Sequence, residues 1–238
     1  MMDVFAEAGI KFSVITPDRT EEVCQLLGNY FFPDEPIFRS IGVKRNKLMD
    51  SYFGDAIKGG SCVMATDSSG KIVGVRMTEV VDRDSKFRKT TERCFISFLP
   101  TLSKLAAAFN KPVFHKACKV YRAFIIELNY DLWSLFDEFG CQKILNDVCV
   151  CTSKDARVRG LGTELVKQGE AVGRNMGCAY SVNIVTGLYS GKIFRDKLNY
   201  TIRSEVFYAQ FVDEDGNLYL NDTREHLSCF MCHKKISE

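Results

Sequence analysis

The alternation of apolar and polar positions divides the chain into strands and helices in mixed order. Lys11 to Thr16 (KFSVIT) reads as a strand that Pro17-Asp18 ends. A helix follows from about Glu21 to Tyr30, with Thr20 placed to cap it and Leu26 and Leu27 on its apolar face. Ser61 to Ala65 and Ile72 to Val81 are strands joined by the polar turn Thr66-Asp67-Ser68-Ser69-Gly70-Lys71, a hairpin pattern. From Asp82 to Phe139 the strand signal fades. Leu99 to Phe109 and Lys116 to Leu128 are helix-like, and Asp131 to Glu138 carries Leu132, Leu135 and Phe136 at helical spacing. Lys143 to Thr152 (KILNDVCVCT) reads as a buried strand, and Thr163 to Met176 as a helix with Leu165, Val166 and Val172 on one face. A strand at Tyr180 to Val185, a helix from about Tyr189 to Leu198, and strands at Thr201 to Val212 and Leu227 to Lys234 complete the order. Asp213-Glu214-Asp215-Gly216-Asn217 separates the last two. With no repeat and no low-complexity linker, the simplest organisation is one domain, residues 1–238, with 82–139 a helical insertion over one face.

Composition narrows the class. The 238 residues, 46% hydrophobic and 26% charged, are ordinary for a globular enzyme domain. A formal net charge of +2 gives no case for a nucleic-acid partner. No apolar run reaches the roughly 18 residues of a membrane span. The stretch MMDVFAEAGIKF has acidic residues where a signal peptide carries basic ones, so a cytoplasmic location is expected. There the ten cysteines are expected to be reduced, with Cys62, Cys149 and Cys151 acting as small core residues in strands. Cys229-Phe230-Met231-Cys232-His233 has the CxxCH spacing of haem attachment, a chemistry of exported compartments. A zinc site drawing in His226 would need Cys229 and Cys232 together, but a strand points them to opposite faces. No metal is expected.

The candidate chemistry lies at Arg157-Val158-Arg159-Gly160-Leu161-Gly162-Thr163, between a strand and a helix start. Unpaired backbone N–H groups and the positive end of a helix dipole favour a phosphate there. Gly160 and Gly162, lacking Cβ atoms, allow close approach of the backbone and positive φ. Spacing excludes the P-loop, because no lysine follows Gly162, and the dinucleotide fingerprint, because Leu165 stands where its third glycine belongs. The remaining pattern, RxxGxG, resembles the pyrophosphate-binding signature of the GCN5-related N-acetyltransferase family; a structural turn is the competing reading. Two further segments narrow the resemblance. Phe31-Phe32-Pro33-Asp34-Glu35-Pro36-Ile37 (FFxDEP) and Thr186-Gly187-Leu188-Tyr189-Ser190-Gly191-Lys192-Ile193-Phe194 (TGxYSxxIF) are similar to stretches of the arylalkylamine N-acetyltransferases of insects and other invertebrates. The order of elements resembles that family's layout over essentially the whole chain.

The resemblance implies an α/β (α+β) acetyltransferase fold: a mixed, mostly antiparallel sheet splayed at the cofactor cleft, with helices on both faces. It implies that Val150, Cys151 and Thr152 pair backbone groups with the pantetheine arm of acetyl-CoA. Arg157, Val158, Arg159, Gly160, Leu161, Gly162 and Thr163 are then expected to cradle the pyrophosphate, with Lys192 reaching a phosphate. A backbone N–H near Val150 is implied as the oxyanion donor. An alkylamine, with a pKa of about 10, arrives as the ammonium and must lose a proton before attack. The resemblance gives that task to Glu35, and a carboxylate among Phe31, Phe32, Pro33 and Pro36 is suited to it, because desolvation raises its pKa. Thr186 and Ser190 are implied to handle protons near the sulfur; four residues apart, they share a face if a helix already begins there.

The chain also departs from the family. Arg195 stands where many acetyltransferases carry an acidic tyrosine, leaving Tyr189 as a substitute. Asn199 replaces a usual glycine, and Asn enters the left-handed region readily. Competing readings make Asp34-Glu35-Pro36 a solvated turn, Ser190 a helix N-cap, and Arg157, Arg159 and Lys192 surface charges. Likewise Phe95, Phe98, Phe109, Tyr121, Phe124, Trp133 and Phe136 are core residues or the lining of an amine pocket. The expected activity is acetyl transfer to the primary amine of a small arylalkylamine by direct attack in a ternary complex, carried out by a monomer. A route through a cysteine is disfavoured, since His115, His226 and His233 are the only imidazoles and none stands in a catalytic context. The alternatives are polyamine acceptors, longer acyl donors, or a catalytically silent acyl-CoA-binding protein.

Overall fold

In the computed structural model, which describes residues 5, 8–84, 120, 123, 124, 126–154 and 160–237, seven strands form one sheet. They are β1 (Lys11–Val14), β2 (Val63–Thr66), β3 (Ile72–Asp82), β4 (Lys143–Thr152), β5 (Tyr180–Val185), β6 (Thr201–Phe207) and β7 (Ser228–Lys235). The order across the sheet is β1-β2-β3-β4-β5-β7-β6, and every neighbouring pair is antiparallel except β4 and β5. The helices are α1 (Thr20–Leu26), α2 (Pro36–Ile41), α3 (Lys47–Lys58), α4 (Leu132–Phe139), α5 (Leu161–Asn175) and α6 (Leu188–Gly191). Both α1 and α6 run into wider, π-helical turns, Leu27–Phe31 and Lys192–Lys197.

Both faces of the sheet are covered. On one, α1, the turn after it and α3 bury Val23, Leu27, Phe53 and Ile57 against Val75, Met77, Cys149 and Cys151. On the same side α4 buries Leu135 and Phe136 against Ile144, Val182 and Met231. On the other, α5 sets Leu161 and Leu165 on Val63, Ala65 and Val73, and the turn after α6 packs Phe194 with Val166, Val185 and Cys232. A doubly covered sheet explains why β3 is buried from Ile72 through Thr78.

Arg76 breaks that apolar run, and its side chain is fully buried. Its guanidinium grips Asp147 of β4 with two bonds, Nε to Oδ1 at 2.7 Å and Nη2 to Oδ2 at 2.5 Å. Nη1 donates to the Val166 carbonyl of α5 at 2.5 Å, and Nη2 to Ser181 Oγ of β5 at 3.1 Å. Burial works against the charge, and the Asp147 carboxylate outweighs it and keeps the guanidinium protonated. The network continues through Tyr200, whose hydroxyl reaches Ser181 and Glu170, to Lys234 on Glu170 at 3.0 Å. Room for Arg76 comes from Gly169, where a Cβ would stand 2.6 Å from Nη1.

The strands expected at Lys143 to Thr152 and Tyr180 to Val185 form with those ends. The hairpin turn is held by Asp67, whose Oδ1 accepts from the Ser69 and Lys71 amides. Thr20 is not the cap of α1. Pro17 starts a 3-10 turn that runs straight into the helix, so Thr20 is its first residue and its hydroxyl donates back to the Pro17 carbonyl at 2.7 Å. Two helices, α2 and α3, occupy a stretch the sequence pattern left without elements. The expected strand from Thr201 ends at Phe207, because Tyr208–Gln210 form a turn. Cys229 and Cys232 do lie on opposite faces of β7, one beside Tyr208 and the other beside Phe194. The expected helix at Leu99 to Phe109 lies outside the described residues, as does much of Lys116 to Leu128. Among the described residues no helix is long and apolar enough to cross a membrane, and no group of three or more His, Cys, Asp or Glu is placed to hold a metal.

Removing one partner of a buried ion pair strands the other charge. Asp147→Ala is expected to lower stability by about 3–5 kcal/mol, read from the urea unfolding midpoint.

Candidate active site

The parallel contact between β4 and β5 is short. Ile144, Leu145 and Asn146 pair with Tyr180, Ser181 and Val182, and there it ends. Beyond Asn146, β4 runs on to Thr152 against β3 alone, while β5 stays with β7 as far as Val185. Thr78 faces Asp147 and Met77 faces Cys149, so Val148 is the extra residue of a β-bulge, which bends β4 where the strands part. The Ser153 N–H donates to the Val73 carbonyl at 2.8 Å. By the two-residue period of an antiparallel ladder, Cys151 also turns its backbone groups to β3, and Val150 and Thr152 turn theirs to the open edge. The expectation that Cys151 offers backbone groups to a cofactor is therefore corrected: its N–H and C=O belong to the sheet, and its side chain to the core.

At the far end of this edge stands the N-terminus of α5. Gly160, with φ of 91°, turns the chain into the helix, and among the described residues no side chain caps it. The Glu164 N–H reaches the Gly160 carbonyl at 3.0 Å, whereas the N–H groups of Leu161, Gly162 and Thr163 precede the first intrahelical bond. Three such donors at the positive end of a 15-residue helix suit an anion. Gly162 has a packing role, through its bare Cα, besides the one expected of its backbone. It lies within the helix, and a Cβ there would stand 2.8 Å from Ile193 Cδ1, so its bare Cα lets the turn after α6 pack against α5. Lys192, the neighbour of Ile193 in that turn, is exposed, and its ammonium lies 5.9 Å from the centre of the Tyr189 ring. Arg157, Val158 and Arg159 lie outside the described residues.

Glu35 lies on the opposite side of the fork. It is the N-cap of α2: its Oε2 accepts the Phe38 N–H at 2.6 Å, and Pro36 takes the first helical position, where a missing N–H costs nothing. The carboxylate is 8% exposed, and Oε1 has no hydrogen-bond partner among the described residues. Burial pushes its pKa up, opposed by the Phe38 amide, the Thr186 hydroxyl, the Ile37 amide and the Arg39 charge. The Thr186 hydroxyl stands near enough to favour the charged form without completing a hydrogen bond to Oε1. Phe38 stacks on Phe32 at 5.2 Å and meets Phe31 edge-on at 5.8 Å, which makes the surroundings apolar.

Thr186 follows the last residue of β5, and its carbonyl accepts the Tyr208 hydroxyl at 2.6 Å. A cavity of about 370 Å³ opens beside this group, lined in part by Asp34, Lys154, Tyr189, Arg224 and His226. Lys154, just past β4, pairs with Asp34 at 3.2 Å and so ties the Glu35 loop to the end of the open edge.

The arrangement of these elements is similar to that of solved structures. The chain is similar to arylalkylamine N-acetyltransferase 2 from Aedes aegypti, at 20% identity over 95% of this chain and 99% of that one, with a TM-score of 0.79. It is similar to a polyamine N-acetyltransferase from Drosophila melanogaster that forms N-acetylagmatine, at 16% identity over 95% and 99%, with a TM-score of 0.71. A mosquito arylalkylamine N-acetyltransferase-like protein, 5b, gives 17%, the same coverage and 0.71. The chain has the N-acetyltransferase fold. No protein-family model matches it, and no curated protein sequence does.

Within the acetyltransferase fold, Glu35 and Thr186 meet, while Ser190 does not join them. α6 begins at Leu188, so Thr186 stands before the helix and the two hydroxyls do not share a helical face. Ser190 Oγ donates to the Gly187 carbonyl at 2.9 Å and is not the N-cap, which is Gly187. Arg195 is exposed and paired with Asp196, and Asn199 takes φ of 53°, as its glycine-like position required. Phe124 and Phe136 are core residues, and Trp133 packs on the Phe136 ring. Phe95, Phe98, Phe109 and Tyr121 are outside the described residues.

The sequence reading weighed His226 only as a zinc ligand or as the base of a cysteine route, and passed over Tyr208. His226 is 7% exposed, and its Nδ1 accepts the Leu188 N–H at 2.9 Å, which satisfies the start of α6 and leaves Nε2 as the protonated nitrogen. Burial keeps its pKa low. No local pattern marks His226, because its partner lies in another segment of the chain.

The raised pKa of Glu35 has a signed consequence for stability. Its contribution is fully present below the unfolded-state pKa and is lost as pH rises through the folded one, so at neutral pH the buried charge costs stability. Glu35→Gln keeps an acceptor for the Phe38 N–H. It is expected to raise the urea midpoint at pH 7, with a gain that shrinks toward pH 4.

Proposed function

We propose that the protein is an acetyl-CoA-dependent N-acetyltransferase that acetylates the primary amine of a small arylalkylamine by direct attack in a ternary complex. The observation that carries this reading is Glu35: a buried carboxylate with an unsatisfied oxygen, tied by the Asp34–Lys154 pair to a free strand edge. The fold supports acetyl transfer, and the aromatic surroundings of Glu35 support an aryl acceptor over a polyamine.

The residues fit the cosubstrate. Val150 and Thr152 offer alternating N–H and C=O groups to the amides of a pantetheine arm, as an added strand would. The amides of Leu161, Gly162 and Thr163 that precede the first intrahelical bond fit a pyrophosphate, and Lys192, exposed in the turn packed on Gly162, adds positive charge to that side. The Val150 N–H then faces the thioester carbonyl and stabilises its developing negative charge. Glu35 takes the proton of the incoming ammonium, a task for which its raised pKa suits it. Thr186, beside Glu35, is the hydroxyl best situated to pass a proton toward the departing thiolate. In this reading Ser190 positions that turn through its bond to the Gly187 carbonyl.

A covalent route through cysteine has no support among the described thiols. All eight are buried, and burial pushes their pKa values up: Cys24 and Cys151 to about 12, Cys62 and Cys178 to about 11. A buried thiol with so high a pKa supplies almost no thiolate at neutral pH.

The test is thiol release from acetyl-CoA with dopamine, serotonin, tryptamine, phenethylamine and spermidine, on wild type and Glu35→Ala. Turnover with the aryl amines is expected, falling by about a hundredfold or more in the variant. Spermidine as the sole acceptor moves the function to polyamines. Tight acetyl-CoA binding with no turnover of any amine replaces the enzyme by an acyl-CoA-binding protein.

A further inference from the structure

The cavity beside Glu35 and Thr186 is ringed by charge, and one of its charged residues, Arg39 of α2, has no part in the chemistry above. The Arg39 side chain is 9% exposed, and its guanidinium donates mainly to backbone. Nη1 donates to the Asp34 carbonyl at 3.2 Å, while Nε and Nη2 both donate to the Asp222 carbonyl, at 3.1 and 2.9 Å. The exposed Asp222 carboxylate stands 3.2 Å from Nε. The Asp222 N–H donates in turn to Ser40 Oγ at 3.2 Å, so α2 holds both polar groups of that residue's backbone.

These bonds act on both groups that the reaction needs. The Asp34 carbonyl belongs to the peptide bond that leads into Glu35. The N–H of the same peptide, on Glu35, donates to the Phe31 carbonyl at 2.8 Å. With both ends bonded, the peptide plane is fixed, and with it the direction in which the Glu35 side chain leaves the chain. The packing of Phe31, Phe32 and Phe38 sets where the loop lies, but apolar contact has no such direction. Asp222 leads into the turn before His226, in which Arg224 takes φ of 48° and the His226 N–H closes on the Thr223 carbonyl at 3.0 Å. His226 Nδ1 holds the Leu188 N–H, two residues from Thr186. One guanidinium thus spans from the peptide of Glu35 to the segment that holds the Thr186 turn.

We propose that Arg39 is a positioning residue of the acetyl transfer, which sets the Glu35 carboxylate and the Thr186 turn in one arrangement by bridging the Asp34 and Asp222 carbonyls. The inference rests on the acetyltransferase reading of the site and adds a residue that acts through Glu35 rather than on the substrate. A planar guanidinium fork reaches two carbonyls in a fixed geometry, which a lysine ammonium does not. Its charge has a second effect. Two neutral carbonyls leave that charge in place, and water screens the half-exposed Asp222 carboxylate. Arg39 therefore favours the ionised form of Glu35 against burial. The other charged groups at this cavity are Asp34, Lys154, Arg224 and Glu225. Tyr208 and Cys229 face Glu35, and burial raises both far above their ordinary values; His226, beside Arg39, is lowered by burial. All three are uncharged near neutral pH, so the titration seen there is that of Glu35.

The test compares the pH profile of kcat/KM for thiol release from acetyl-CoA, over roughly pH 6 to 9, in wild type, Arg39→Met and Arg39→Lys, with the best acceptor of the panel above. The urea midpoint and CoA affinity of each variant report that it is folded. Arg39→Met is expected to lower the high-pH plateau by about tenfold, since small displacements of a catalytic group are costly. Its acidic limb is expected at higher pH, because Glu35 has lost a charge that favours its ionised form. Arg39→Lys is expected to lose a similar factor from the plateau while its limb stays in the wild-type place. Asp222→Asn, at an exposed position, keeps the carbonyl and removes the offsetting charge, and its limb is expected at lower pH. A plateau within about twofold of wild type in Arg39→Met overturns the positioning role and leaves the acetyltransferase reading intact. A lower plateau there with the limb unmoved, the mark of a merely structural residue, does the same. If Arg39→Met does not fold, an unmoved limb in Asp222→Asn overturns the proposal and a limb at lower pH supports it. A wild type that binds CoA but turns over none of the amines overturns both readings.

Discussion

The buried pairing of Arg76 with Asp147 is the constraint on which the site depends. A charge with no exposure in the middle of β3 is costly unless it is fully bonded, and the bonds it makes fix three elements at once. Asp147 lies where β4 bulges, Ser181 lies beside it on β5, and the Val166 carbonyl lies on α5. These are the elements that must diverge at one point for a cleft to exist. Apolar packing would let them slide against each other; a bidentate bond with further donors does not. The fork between β4 and β5 is thus located by polar geometry inside an otherwise hydrophobic sheet.

From that fork the two halves of the site arise by different means. In the proposed function the cofactor side is made of backbone: a strand edge left without its neighbour and a helix start that no side chain caps among the described residues. The proposed acceptor side is made of side chains held by local structure, with Glu35 fixed by the helix it caps and Thr186 by its position at the end of β5. Among the described residues the ion pair that ties the halves is exposed, Asp34 with Lys154, and pairs of that kind are weak. The loop that carries Glu35 is therefore held chiefly by the aromatic packing of Phe31, Phe32 and Phe38.

Much of the fold was legible because its strands follow simple burial rules. β4 and β5, with their β-branched runs, have the ends the sequence indicates, and Asn199 adopts the left-handed conformation expected of it. The segment from 36 to 58 was misread although its signals are present: Asn46 caps α3 through the Leu48 and Met49 amides, and Met49, Tyr52, Phe53, Ala56 and Ile57 recur at helical spacing. Asp34-Glu35-Pro36 also reads as a solvated turn, whereas Pro36 opens a helix. Other features had no local signal. Register decides that Cys151 faces β3 while Val150 and Thr152 face the cleft, and register depends on the partner strand. The match of Gly162 to Ile193, of Gly169 to Arg76 and of His226 to Leu188 joins segments distant in sequence.

Helix α5 carries one last consequence. Gly162, Gly169 and Gly173 abut Ile193, Arg76 and Leu145, so the side of the helix facing the sheet is flattened by residues that disfavour helix formation by about 1 kcal/mol each. Three such residues in fifteen make the segment a poor helix on its own, and its order is borrowed from the sheet it covers. The anion cradle at its start has no existence apart from the assembled core. A CoA analogue that binds there acts as a conformational probe of the entire molecule: its affinity reports whether Arg76, deep in the sheet, has found its place.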